Sequence, residues 1–302
     1  MGSPSGGRVS AVIVHYRTPR ETVRAARAVA ESSPEAEILV VDNASGDRIE
    51  LDLAAAVPAA RVVAEPSNRG FGAACNRGAR ESDRPYILFL NSDAYVRPGA
   101  VTALVAAMDA APGAAAAAPR LSNPDGSLQP SIQRLPSPWR IFCESLGLAF
   151  LSGGRLPFAG HSATREDHGR PRSVEAVKGA ALLVRRADFD AAGGFDENFF
   201  LYAEETDLLA RWRGMGRGLL FEPRAEVVHE GGASAGDRLF GELHASLGRY
   251  AAKHHGRWGG LAARASLSAG AVLRYAIALL TPGERGRARR ARYRAALSGA
   301  AR

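Results

Sequence analysis

Four short aliphatic runs, each followed by a polar or glycine-rich cluster, most constrain what this chain can fold into. Val9-Ser-Ala-Val-Ile-Val14 reads as a buried strand and is followed by Tyr16. Ile38-Leu-Val-Val41 is a second, ending in Asp42-Asn43-Ala44-Ser45-Gly46. Arg61-Val62-Val63 is a short third, with Asn68-Arg69-Gly70-Phe71-Gly72 beyond it. Tyr86-Ile-Leu-Phe-Leu90 is the fourth, closed by Asn91-Ser92-Asp93. Between them helices are expected from Thr18-Pro19 through Ala30, since proline suits a first helical turn, and over Gly72 to Glu81. A further helix is expected over Pro98 to Ala110. Strand–helix alternation of this length predicts an α/β fold, a Rossmann-like, mostly parallel central sheet flanked by helices.

Beyond Pro119 the pattern changes. Proline, glycine and serine punctuate the chain as far as Pro171, and Asn123-Pro124-Asp125-Gly126 is a turn signal. Hairpins and a mobile acceptor-side loop are expected there. Val174 to Val184 reads as a strand pair or one long strand, Ala187 to Ala192 as a short helix and Glu204 to Met215 as a helix. Gly218 to Phe221 and Val227-Val228 read as separate short strands. Leu239 to Leu280 is expected to be a helical C-terminal extension, broken by Pro282-Gly283 before a basic stretch from Arg285 to Leu297. This divides the chain into a disordered residues 1–7, a domain over 8–236 with a nucleotide-binding half (8–118) and an acceptor-binding half (119–236), and an extension over 237–302.

The formal net charge of +8 sits in that extension, where residues 251–302 hold 11 Lys and Arg against the single acid Glu284. The remainder is mildly acidic, which disfavours a nucleic-acid enzyme, whose basic residues belong on the folded domain. A basic amphipathic helix reads as a membrane-surface or acidic-partner element, with a solvated charged tail as the alternative. Residues 261–297 are thus a candidate for peripheral contact with an anionic membrane. Cys75 and Cys143 have neither zinc-site nor disulfide-framework spacing and read as buried or free thiols in a reducing compartment. Met1 to Gly7 lacks the apolar core of a signal peptide, and no run reaches the ~18 apolar residues of a membrane span, so a cytoplasmic protein is expected.

In open α/β sheets ligands bind outside the carboxyl ends of the strands. Four polar clusters at successive strand ends describe one crevice for a polar ligand. Tyr16 can stack on a nucleobase and Asp42 can accept its N–H; a surface tyrosine and a capping aspartate are the alternatives. Asp93 suits a divalent cation bridging two phosphates, or a plain N-cap. Arg69 lies in a loop where Gly70 and Gly72 let backbone approach a phosphate. Cys75 stands where a dinucleotide fingerprint needs its third glycine, which disfavours a dehydrogenase. Glu204, Glu205 and Asp207 open a helix; one or two acids suffice for capping, and a carboxylate there can take a proton from an attacking hydroxyl. His229, at a strand end before Glu230-Gly231-Gly232, is a structural residue or a ligand of metal or phosphate.

Taken in order, these stretches resemble the family 2 glycosyltransferases of GT-A fold, and within them the bacterial rhamnosyltransferase-like branch, over about residues 8–236. The matching pieces are Val12-Ile-Val-His-Tyr16, Val40-Val-Asp-Asn-Ala-Ser45, Asn68-Arg-Gly-Phe-Gly72 with Asn76, Leu90-Asn-Ser-Asp-Ala94, Gly193-Gly-Phe-Asp-Glu197 and Tyr202-Ala-Glu-Glu-Thr-Asp-Leu208. The resemblance implies a nucleoside-diphosphate-sugar donor, inversion at the anomeric carbon, and a hydroxyl acceptor on a glycan or lipid-linked carrier in cell-surface polysaccharide synthesis. It implies that Tyr16 and Asp42 hold the base and that Asn68, Arg69 and Gly70 lie near base or diphosphate. Asn91, Ser92 and Asp93 would form the donor and metal motif, with Asp93 and His229 on Mg²⁺ or Mn²⁺ and Glu205 as general base, Glu204 and Asp207 being the fallbacks. Two departures stand out: Asn91 replaces the first acid of Asp-x-Asp, and Glu204-Glu205 replaces the usual Glu-Asp. Leu208-Leu-Ala-Arg211-Trp212 lacks the glutamine of processive members, which implies transfer of a single sugar. A dTDP-rhamnose donor is the branch-level expectation, with UDP-hexoses and N-acetylhexosamines open. The competing readings are a catalytically inactive nucleotide-sugar binding protein and a sugar-nucleotide nucleotidyltransferase. The latter wants a glycine-rich basic loop where Tyr16-Arg17-Thr18-Pro19 stands.

Overall fold

A computed structural model describes residues 5–162, 166–231 and 237–300. It resolves into two compact units. The first comprises Met1–Ile132, Asp167–Asn198 and Glu204–Ala233, and the second Gln133–Glu166, Phe199–Ala203 and Ser234–Arg302. The second unit therefore takes two segments from the stretch assigned above to the 8–236 domain.

The first unit begins with a 3-10 turn at Ser5–Arg8, where disorder was expected through residue 7; residues 1–4 lie outside the described residues. Then follow β1 (Val9–His15), α1 (Pro19–Ser32), β2 (Glu37–Asp42), α2 (Ile49–Ala56), β3 (Ala60–Ala64), α3 (Phe71–Arg80), β4 (Tyr86–Asn91), β5 (Ala94–Val96), α4 (Ala100–Ala110), β6 (Ala114–Ser122) and β7 (Leu128–Gln129). β8 (Ile132–Gln133), α5 (Pro138–Ser145) and α6 (Leu148–Leu151) lead out of it. β9 (Arg172–Val174), β10 (Ala176–Val177), β11 (Ala181–Arg185), α7 (Arg186–Ala191), α8 (Glu204–Gly214) and β12 (Gly218–His229) complete it.

The large sheet has the order β3-β2-β1-β4-β11-β6-β12-β5, with β7 on β6 and β9 on β12. β3, β2, β1 and β4 are mutually parallel, with Val12 level with Leu39 on one side and Phe89 on the other. β11 enters antiparallel between β4 and β6, while β6 and β12 are again parallel. β1, β2 and β4 are buried on both faces, which is why they read as unbroken aliphatic runs rather than alternating ones. Gly78 of α3 sits so close to the sheet that a Cβ there would lie 2.4 Å from Val12 Cγ1. That contact brings the α3 N-terminus, and the loop before it, down onto the strand ends.

Several elements differ from expectation. α2 carried no clear sequence signal. β6 is built on five successive alanines, whose intrinsic preference is helical; burial between β11 and β12 overrides that preference. The two strands expected at Gly218–Phe221 and Val227-Val228 are one strand, β12, with a register irregularity between Glu222 and Glu226. In the middle stretch, β6 and β7 form one of the expected hairpins, but Pro138 starts a helix, α5, where the Ser137 hydroxyl accepts from Arg140 N.

In the second unit, α9 (Asp237–Leu279) is broken at Gly256 (φ 70, ψ 178), and α10 (Gly283–Ala300) follows the break at Pro282. The two arms of α9 fold back on each other, since a Cβ on Gly260 would meet Ala252 and one on Gly248 would meet Arg264. α10 packs along α9, with Arg290 Nη1 donating to Ala278 O (2.9 Å) and Arg294 Nη2 to Tyr275 Oη (3.0 Å). Ile141, Leu247, Ala251, Ala263 and Leu267 form the core of this bundle. The arginines from Arg285 to Arg294 are distributed around α10 rather than on one face, so it is basic but not amphipathic as expected. No helix among the described residues is long and apolar enough to cross a membrane.

Candidate active site

The four predicted strand-end clusters are joined by hydrogen bonds at the carboxyl edge of the parallel half-sheet, all within the first unit. Asn43 N donates to His15 O (3.0 Å), tying the end of β2 to that of β1. Arg17 N donates to Ser45 Oγ (3.2 Å), and Ser45 N to Asp42 Oδ1 (2.9 Å). The Asn43 side-chain amide donates to Asn68 Oδ1 (3.0 Å) and Gly70 O (3.2 Å) and accepts from Arg69 N (3.2 Å). Asn68 Oδ1 also accepts from Gly70 N. Thr18 Oγ1 donates to Ser92 Oγ (2.9 Å), closing the edge between β1 and β4. The polar clusters thus satisfy one another, leaving the exposed Tyr16 ring, with the Arg17 guanidinium 5.1 Å from its centroid, as the open aromatic surface.

Arg69, expected near base or diphosphate, forms an ion pair with Glu197. Asn76 explains the pairing: its Oδ1 accepts from Phe195 N (2.9 Å) and its Nδ2 donates to Phe195 O (2.9 Å) and Glu197 Oε1 (3.1 Å). The Asn68–Gly70 loop and the Gly193–Glu197 stretch, separate motifs in the sequence, are one hydrogen-bonded assembly.

Asp93 and His229 lie on adjacent strand ends. Ala94 is level with His229 in the β5–β12 ladder, and Glu230 N donates to Asp93 O (3.0 Å). Their side chains converge, Asp93 Oδ1 standing 3.4 Å from His229 Nε2. Gln129 Nε2 donates to Asn123 Oδ1 (2.9 Å) and His229 O (3.1 Å), which turns its Oε1 toward His229 Nδ1 at 2.7 Å. Nδ1 must therefore carry the proton in the neutral ring, leaving the Nε2 lone pair facing Asp93. This is the tautomer of a metal-binding histidine held by a neighbour. Two donor atoms sharing an octahedral ion stand about 3 Å apart, so the pair fits a divalent cation. Among the described residues no three His, Cys, Asp or Glu side chains form such a group. Gln129 had not been singled out from the sequence; a glutamine in a short hairpin carries no recognisable signal.

The three acids of α8 have three different environments. Asp207 is fully buried and pairs with Arg211 Nε (2.8 Å), whose guanidinium also donates to Ala192 O and Gly194 O. Its role is to hold the loop after α7. Glu204 is buried behind α3, against Gly72 and near Cys75, and its Oε2 has no hydrogen-bond partner among the described residues. Burial, reinforced by the neighbouring Glu205, pushes its carboxyl well above the ordinary range. Glu205 instead lies on Gly179, where a Cβ would come within 3.0 Å of Glu205 Cγ. Burial raises its carboxyl, opposed by backbone N–H donors at 179 and within α8. Ala180 O, the next residue along, accepts from Asn91 N (2.9 Å), so Glu205 is set beside the Asn91–Asp93 turn. Tyr202 and Ala203, immediately before α8, both have left-handed backbone (φ 67 and 64). Such strain persists where surrounding structure over-determines it, often at functional sites.

The mostly parallel sheet, with an exposed tyrosine, an aspartate–histidine pair and a buried carboxylate gathered at its strand ends, has the architecture of the GT-A glycosyltransferase fold. Solved structures share the fold. The mannosyltransferase PcManGT from Pyrobaculum calidifontis, in complex with GDP-Man and Mn²⁺, aligns with a TM-score of 0.55 at 15% identity, covering 97% of this chain and 86% of that one. GalNAc-T7 with UDP, GalNAc and Mn²⁺ aligns with a TM-score of 0.52 at 15% identity, over 80% of this chain and 49% of that one. Residues 10–165 match Glycosyl transferase family 2. The N-acetylglucosaminyl-diphospho-decaprenol L-rhamnosyltransferase of Mycobacterium tuberculosis is 32% identical over 237 residues, 73% of this chain and 76% of that one. The chain belongs to glycosyl transferase family 2.

Proposed function

We propose that this enzyme transfers a single rhamnose, with inversion, from dTDP-rhamnose to a hydroxyl of a lipid-linked glycan on the cytoplasmic side of the membrane. The observation that carries the chemistry is the Asp93–His229 pair, 3.4 Å apart, with Glu205 packed on Gly179, whose neighbour Ala180 accepts a backbone hydrogen bond from Asn91. The sugar and acceptor classes follow the mycobacterial relative, whose name specifies L-rhamnose and a diphospho-decaprenol carrier. Tyr16 stacks on the base, and Asp42 orients it. Asp93 and His229 would hold Mg²⁺ or Mn²⁺, which supplies charge neutralisation for the leaving diphosphate. Glu205 takes the proton of the acceptor hydroxyl as its oxygen attacks the anomeric carbon opposite the departing diphosphate. The acceptor C–O bond forms as the sugar–phosphate bond breaks, and no covalent enzyme intermediate is needed.

Melting curves against dTDP-, UDP-, GDP- and ADP-sugars, each with Mn²⁺ and with EDTA, test this reading. dTDP-rhamnose with Mn²⁺ is expected to raise Tm by roughly 5–10 °C at about a hundredfold excess over Kd. Asp93→Ala is expected to abolish that rise. A shift as large in EDTA as in Mn²⁺, or one indifferent to Asp93→Ala, would rule out the metal-assisted donor site.

A further inference from the structure

Several of the most exposed large apolar side chains cluster in a segment for which the proposed function has no use. Phe150 is 88% exposed, Leu151 79% and Leu156 77%, all within the turns that follow α5 in the second unit. The residues around them pack on one another. Trp139 stacks on Phe142 with ring centroids 5.4 Å apart, lies 6.2 Å from Phe158, and donates its indole N–H to Pro157 O (2.8 Å). Gly154 N donates to Ala149 O (2.7 Å), folding the Arg155–Phe158 stretch back on α6. The result is a compact apolar knuckle with an indole at its base.

The same unit is strongly basic. Its three segments hold 17 Lys and Arg against 5 Asp and Glu, a net +12, so the first unit carries −4 of the total of +8. α5 leaves the bundle at the level of Gly270 and Arg274, where Arg274 donates to Ser145 O and Glu144 O. That is about two helical turns before the exposed Leu280, beyond which the α10 arginines begin.

We propose that the Trp139–Phe158 knuckle inserts into the interface of an anionic phospholipid bilayer, with the basic bundle held over its head groups. Exposed Phe and Leu side chains at a tip, with an aromatic amphipathic ring behind them, are the composition of an interfacial anchor. Positive charge supplies the electrostatic part of that binding. A second copy of the chain is a poorer occupant, because two +12 surfaces would face each other; nucleic acid would leave the apolar tip in water. The inference deepens the proposed function and rests on its lipid-linked acceptor for its purpose. It also moves the membrane contact from residues 261–297 alone to a segment more than a hundred residues earlier.

Co-sedimentation of the full chain with vesicles of phosphatidylcholine containing 30% phosphatidylglycerol, and with pure phosphatidylcholine, tests it. Strong binding is expected only to the anionic vesicles. Phe150→Ser with Leu151→Ser and Leu156→Ser is expected to weaken it more than tenfold, because each buried side chain is worth about one order of magnitude. These positions face solvent, so Tm should be unchanged, and the single Phe150→Ser variant gives a smaller loss in the same direction. Equal binding by parent and triple variant overturns the proposal. So does a parent dimer in sedimentation velocity that the triple variant dissociates. The dTDP-rhamnose melting shift, read on the same proteins, separates the two readings: its absence with vesicle binding intact removes the donor assignment and leaves the docking surface standing.

Discussion

Glu205→Gln is expected to lower kcat about a thousandfold, within the range for loss of a positioned general base, while leaving donor binding nearly unchanged. The amide keeps the shape that fits against Gly179. It cannot take the acceptor proton. Because burial raises the Glu205 carboxyl, the group becomes an effective base only above the ordinary carboxylate range. The acid limb of kcat/KM should therefore lie at higher pH than for a free glutamate, with activity rising as pH rises and then levelling. The stability linkage has the opposite sense. A raised folded-state pKa contributes stability that is fully present below the unfolded value near 4.5 and is lost as pH rises through the folded value. Glu205→Gln should flatten that decline. A variant retaining kcat within tenfold of the parent would move the base elsewhere.

Asp207→Ala is expected to do the reverse. Removing a fully buried carboxylate leaves the Arg211 guanidinium without its counter-charge, at a cost of about 3 kcal/mol. In a protein of this size that is roughly 10 °C in Tm. Arg211 also holds Ala192 O and Gly194 O, so the loop leading to the Phe195–Glu197 assembly should loosen, detectable as faster amide exchange there. Below the lowered Tm, the melting shift with dTDP-rhamnose and Mn²⁺ should persist. A parent-like Tm would show that Asp207 is not the tether the geometry makes it.

These contrasting expectations for neighbouring acids mark where sequence reading stopped. Glu204, Glu205 and Asp207 sit within four positions, and nothing in their spacing distinguishes an unpaired buried acid, the proposed base and an ion-pair partner. The distinction lies in what faces each one: α3 across Gly72, Gly179 and Arg211. β1, β2 and β4 of the parallel half were legible because each is buried on both faces and ends in turn-forming residues. β6 was not, since burial rather than propensity makes five alanines a strand. α5 was not, since the prolines that suggested an irregular loop include Pro138 at its N-terminus. Tyr16, Asp42 and Asp93 could be placed from strand ends alone. Gln129, Glu197 as the partner of Arg69, and Gly179 as the seat of Glu205 could not, because each acts through a neighbour distant in the chain.

The ladder that sets Ala94 level with His229 has a consequence for how this enzyme can diverge. Asp93 and His229 are 136 positions apart in the chain, yet backbone pairing alone fixes their separation. Between them the chain leaves the first unit over residues 133–166 and then returns to it. Such a detour can lengthen, shorten or change its chemistry without disturbing the two residues at its ends. Donor handling and acceptor choice can therefore be inherited separately, and a chimera that exchanges residues 133–166 with those of a relative should keep its nucleotide while changing the surface it visits.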